Sequence, residues 1–121
     1  MPKVAISTLG PTLDDKVDEH FGRATVLLIV DTDTLEVEVV DNSANRNAMQ
    51  GAGIGAAEAV SERGASHVVT GHLGPKAFRA LAAAGISGFN GTGLTARDAV
   101  TAFKESRLEP LSEGESHTGI Q

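Results

Sequence analysis

Of the residues that could do chemistry in this 121-residue chain, the densest group is Gly71-His72-Leu73-Gly74-Pro75-Lys76. It follows Val68-Val69-Thr70, which reads as a buried strand. Pro75 suits the first position of a helix, because its missing N–H would have had no intrahelical partner. A strand that feeds a helix start through glycines leaves backbone N–H groups pointing out of the strand end, where they attract anions. Lys76 in the first turn opposes the helix dipole, which favours a bound anion over a solvated charge. The chemistry predicted is capture of a negatively charged ligand, with no reaction on it required.

The candidate binding residues are Gly71, His72, Gly74 and Lys76 in this turn, Arg23 in His20-Phe21-Gly22-Arg23-Ala24, Gly53 in Gly51-Ala52-Gly53, and Gly91 and Thr92. Glycines let the backbone approach a ligand closely. His20 and His72 are the candidate metal ligands. Several of these have plainer alternatives. Arg23 either touches the ligand or pairs with Asp14, Asp15 or Asp18. His20 and Phe21 either cover a pocket or divide into an exposed histidine and a core phenylalanine. Met49 is either a soft copper ligand or packing. Gly51-Ala52-Gly53 follows a polar loop rather than a strand, which argues against dinucleotide binding.

The elements that must position these residues are readable from pattern. Lys3 to Thr8 is an apolar run ended by Leu9-Gly10-Pro11 and reads as a central strand. Thr25 to Asp31 and Leu35 to Asp41 flank Thr32-Asp33-Thr34, a hairpin. In its second strand Leu35, Val37 and Val39 alternate with Glu36 and Glu38, which predicts a sheet edge with one wet face. Asn42 to Gln50 is polar without periodicity. Helical spacing runs from Ile54 to Arg63 and stops at Gly64. A second helix spans Lys76 to Ala84, Ile86 to Asn90 is a fifth strand, and Thr95 with Asp98 caps a helix ending near Ser106. Residues 1–108 form one domain, and 109–121, with His117, read as a flexible tail.

This order predicts a mixed sheet with right-handed parallel crossovers, so that strands one, four and five end on one edge. Ligands of open α/β sheets bind at that carboxyl edge. The turns Leu9–Leu13, Gly71–Gly74 and Asn90–Gly93 are expected to converge there.

Composition bounds the partners. Hydrophobic residues make up 40% and charged residues 21%, so the chain is globular. The formal net charge is −6 and there is no Trp or Tyr, which argues against a nucleic-acid binder that needs basic patches and stacking platforms. The absence of Cys excludes disulfides and thiolate-held metal centres. No apolar run approaches the ~20 residues of a membrane span, and the start lacks a signal-peptide pattern, so no membrane partner and a cytoplasmic location are expected.

The first strand KVAIS, the HFGRA segment, Gly51-Ala52-Gly53, Gly71-His72-Leu73-Gly74-Pro75-Lys76-Ala77, Leu81 with Gly85-Ile86, and Ala99 together resemble the dinitrogenase iron-molybdenum cofactor biosynthesis family, over residues 3 to 108. The resemblance implies a ribonuclease H-like α/β fold, with five strands in a mixed sheet and helices on both faces. It also implies non-enzymatic binding or carriage of a metal-sulfide cluster during cofactor assembly. That cluster would be molybdenum-copper-sulfide or iron-molybdenum-sulfide, non-covalently bound, with other proteins as delivery or regulatory partners. The chain departs from the family pattern in having Leu28 where many relatives have an aromatic, and in lacking thiols. A thiomolybdate-type cluster fits such a chain, because its own sulfides complete its coordination and the protein need supply only N–H donors, cations and a dry wall.

Two other readings compete. A ribonuclease H-like nuclease needs clustered carboxylates beginning on the first strand, and Val4 to Thr8 carries none. A regulatory module would recruit a partner through Leu35–Asp41, whose charged alternation instead discourages pairing.

Overall fold

Period-two alternation builds the centre of the molecule. The computed structural model describes residues 2–48 and 51–112. In β1 (Lys3–Thr8) every residue from Val4 onward is buried. Val4 and Ile6 join one apolar cluster while Ala5 joins another, so the strand separates two cores. The antiparallel β2 (Val26–Asp31) does the same, sending Val26, Leu28 and Val30 to one side and Leu27 and Ile29 to the other.

Around this pair run β3 (Val37–Asp41), α1 (Ser43–Arg46), α2 (Ala52–Glu62), β4 (His67–Thr70), α3 (Pro75–Ala83), β5 (Ser87–Asn90), α4 (Ala96–Lys104) and β6 (Glu109–Pro110). They form a six-stranded mixed sheet in the order β3-β2-β1-β4-β5-β6, with β1, β4 and β5 parallel. Helices α2 and α3 cover the face of Ala5, Leu27 and Val68 through Ala56, Val60, Ala77 and Leu81. Helix α4 covers the opposite face through Ala96, Ala99 and Val100.

Three expectations are corrected. The sheet has six strands, not five, because Glu109 and Pro110, assigned above to a tail, pair antiparallel with Asn90 and Phe89 and bring Leu111 into the α2–α3 core. Asn42 to Gln50 is not all loop: Ser43–Arg46 make one helical turn, too short for a period to register in sequence. In β3, which is indeed the edge strand, Leu35 and Val39 do not form a covered face, being 39% and 51% exposed. Leu35 sits in the turn at φ 64°, and α4 lies over β1 rather than over the outermost strand. His117 and Met49 lie outside the described residues.

Candidate functional site

At the carboxyl edge of β1 and β4 the chain makes a cleft of about 390 Å³, lined by three stretches distant in sequence: His20–Arg23, Ala52–Gly53, and His72 with Gly74–Ala77. Two helix N-termini open into it. Helix α2 starts after Gly51 and α3 after Gly74, so neither cap residue has a side chain to satisfy first-turn N–H groups, and neither helix has an acidic residue in its first turn. Pro75 stands at N1 of α3, as its missing N–H predicts. The uncompensated positive ends of two helices thus face one space, and among the described residues no carboxylate lines it.

Close backbone approach makes this convergence possible. A Cβ on Gly53 would lie 2.8 Å from that of Ala77, so α2 and α3 touch at their first turns through a missing side chain. A Cβ on Gly22 would lie 2.6 Å from Gly53 N and 2.8 Å from Ala52 C, which seats the 20–23 segment directly on the start of α2. Phe21 is 2% exposed and forms apolar floor, whereas His20 is exposed. This is the plainer of the two readings for that pair, although both residues line the cleft.

His20 and His72 are neighbours through an isolated parallel bridge between their backbones. Arg23 makes no ion pair with Asp14, Asp15 or Asp18. Its Nη1 donates to the carbonyls of Arg46 and Ala48, both at 2.7 Å. Asp14 instead pairs with Arg97. Fixing Nη1 orients the guanidinium, and its Nε–Nη2 edge makes no bond to any described residue. A planar two-donor fork of this kind matches a tetrahedral or bridged anion.

Of the residues singled out in the sequence, Arg23, Gly53, His72, Gly74, Lys76 and His20 share this cleft. Gly71, Gly91 and Thr92 do not. Gly71 is buried between Glu19 and Thr92, and Gly91 is packed on Val69 and Val17. Thr92 turns its own amide and hydroxyl onto Asn90 Oδ1, at 3.0 and 2.7 Å. The adjoining helix α4 has no amides to spare. Ala96 N–H donates to the Asp15 carbonyl, Arg97 N–H to that of Leu13, and Asp98 N–H to Thr95 Oγ1. The loops after β1 and β5 therefore reach the expected edge but pack together on the α4 face, away from the cleft.

Sequence reasoning missed Ala52, Pro75 and Ala77 as wall, and Asn42 as support. No signal in the sequence around Asn42 marks it, because its burial and its partners Gly22 and Ala24 appear only in the fold.

Asp31 and Asp41, the carboxylates that end the two hairpin strands, stand at opposite ends of the hairpin, opposite Lys3 and Val26 respectively, and so do not form the carboxylate cluster a nuclease needs. Each is held below the ordinary aspartate value, Asp31 chiefly by the Thr34 and Asp33 amides and Asp41 chiefly by the Ser43 amide. Among the described residues no three His, Asp or Glu side chains gather to hold a metal ion. No helix among them is long and apolar enough to cross a membrane.

A mixed sheet whose carboxyl edge carries a cleft at two helix starts, with no carboxylate among the described residues that line it, defines a small α/β domain. The family model described as dinitrogenase iron-molybdenum cofactor matches residues 2–106, and the protein belongs to that family. Its fold is similar to that of the apo orange protein of Desulfovibrio gigas, with 43% identity, TM-score 0.87, and coverage of 91% of this chain and 92% of that one. A Thermotoga structure described as a NifB candidate shares 34% identity at TM-score 0.79, covering 91% of this chain and 93% of its own. An uncharacterized protein of Methanocaldococcus jannaschii is 28% identical over 102 residues, covering 82% of this chain and 86% of its own.

Proposed function

We propose that the protein binds or carries, without catalysing a reaction, an anionic metal-sulfide cluster containing molybdenum with copper or iron, in cofactor assembly or metal handling. The observation that carries this reading is the cleft itself: two uncapped helix starts, an oriented guanidinium and Lys76 gather in a lining that holds no carboxylate among the described residues. Family membership supplies the class of cargo.

The donor set suits such a cargo. With no Cys in the chain, capture rests on N–H donors, Arg23 and Lys76 around a wall of Phe21, Ala52, Pro75 and Ala77, while the cluster's sulfides keep its metals coordinated. His20 and His72, which line the cleft, are the candidate metal ligands at its edge. For the fold we propose the ribonuclease H-like label, supported by the β3-β2-β1-β4-β5 order.

Apo protein mixed with tetrathiomolybdate and copper(I), or with iron(II) in a parallel arm, is desalted and assayed. Stoichiometric retained molybdenum with a charge-transfer absorption is expected in at least one arm, and retention in neither overturns the reading. Lys76→Ala removes one charge-assisted contact, worth ~1.5 kcal/mol, and weakens retention about tenfold.

A further inference from the structure

Two buried polar clamps hold the segment 18–24, which carries both His20 and Arg23, yet neither clamp contributes a side chain to the cleft lining. The first joins β1 to β4. Ser7 and Thr70 are fully buried, and Ser7 Oγ lies 2.7 Å from both Thr70 Oγ1 and the Asp18 carbonyl oxygen. Thr70 Oγ1 is 3.3 Å from the same carbonyl, and the Ser7 carbonyl accepts the Asp18 N–H at 2.7 Å. Two hydroxyl protons serve this triangle of oxygens, one between the hydroxyls and one on the carbonyl. Asp18 Oδ1 in turn accepts at 2.9 Å the N–H of His20, the residue bridged to His72.

The second clamp is Asn42, 1% exposed. Its Nδ2 donates to the carbonyls of Gly22 and Ala24, at 3.1 and 2.9 Å, which flank Arg23 on both sides. Its Oδ1 accepts from Asn45 Nδ2 at 3.0 Å, so the amide is engaged at both ends. An apolar residue would fill the same space, but it would leave two carbonyls without donors and the Arg23 backbone without a fixed height above α2.

We infer that Ser7, Thr70 and Asn42 are positioning residues of the cleft: through the carbonyls of Asp18, Gly22 and Ala24 they hold the segment whose His20 and Arg23 line it. This rests on reading the cleft as an anion site. None of the three carries a charge, so their effect on binding is geometric and passes through His20 and Arg23.

The test uses Asn42→Ala, Thr70→Val, Thr70→Ser and Arg23→Ala, each checked for a folded state by circular dichroism, with tetrathiomolybdate as the probe. In the apo protein, guanidinium nitrogen resonances report whether Arg23 rotates, and backbone proton contacts report whether His20 still adjoins His72. Asn42→Ala is expected to free the Arg23 guanidinium. Thr70→Val is expected to break the His20–His72 contact, and Thr70→Ser to preserve it.

For tetrathiomolybdate, Asn42→Ala is expected to weaken binding about tenfold in the wild-type background and less than twofold beside Arg23→Ala. A merely structural role would cost the same in both backgrounds. Equal losses in the two backgrounds, or an Arg23 signal indifferent to Asn42→Ala, overturn the inference. If the wild type takes up no tetrathiomolybdate with either metal, the anion reading falls, while the apo resonances still decide whether the clamps position the segment.

Discussion

Gly22 is where one added carbon would do most damage to the cleft. A Cβ there would meet Gly53 N, Gly53 Cα and Ala52 C, all backbone atoms of the first turn of α2, so no side chain can swing aside to make room. Gly22→Ala is therefore expected to cost ~1–3 kcal/mol by overpacking, read as a lower midpoint in urea unfolding, and to weaken tetrathiomolybdate binding by lifting Arg23 from α2. An unchanged midpoint would show that the segment sits looser than its contacts indicate. At this scale the sequence was informative where chemistry is local. Gly74 and Pro75 before Lys76 announce an open helix start by themselves. It was uninformative where the deciding partner is remote. Nothing near Gly91 or Thr92 reveals that the Leu13 and Asp15 carbonyls have already taken the amides of α4. Nothing near Asn42 reveals that its amide reaches back to Gly22 and Ala24.

Among the described residues α4 differs from α2 and α3 in how it treats its own N-terminus, and that difference separates support from the candidate site. Helix α4 caps itself with Thr95 and places Asp98 in its first turn. Thr95→Ala should cost about 1 kcal/mol in thermal unfolding and leave tetrathiomolybdate binding unchanged, because α4 lies on the other face of the sheet. A loss of binding in that variant would mean that the two faces are coupled through β1. Strand β6 is the converse case, an element too short to be read from its own residues. It exists because β5 has a free edge and because Leu111, 5% exposed, finds a place beside Leu73 and Ile86. Leu111→Ala should cost ~2–4 kcal/mol in chemical denaturation, whereas a true tail would tolerate the change. Strands β1 and β2 were legible as continuous apolar runs, and α2 because its helical period repeats within the element. The single turn of α1 and the two residues of β6 offer no repeat to detect, since tertiary contacts create them.

Over the whole molecule, a chain of formal charge −6 brings no carboxylate of its described residues into the lining of the cleft. With surface charges screened beyond ~8–10 Å at physiological salt, the field inside the cleft is set by its own helix ends and cations. Acidity should therefore act on stability elsewhere. Asp31 and Asp41 close the turns at the two ends of the hairpin, and turn amides hold both below the ordinary aspartate value of 3.8. A carboxylate whose folded value is depressed binds fewer protons folded than unfolded, so its contribution is fully present above 3.8 and is lost as pH falls through the lower folded value. Asp31→Asn, which has no proton to take up in this range, should be less stable than the wild type at pH 7. That gap should close progressively below pH 3.8. The measurement is urea unfolding of both proteins from pH 7 to pH 2. A gap that stays constant across the series would mean that the Thr34 and Asp33 amides hold the neutral side chain as firmly as the charged one.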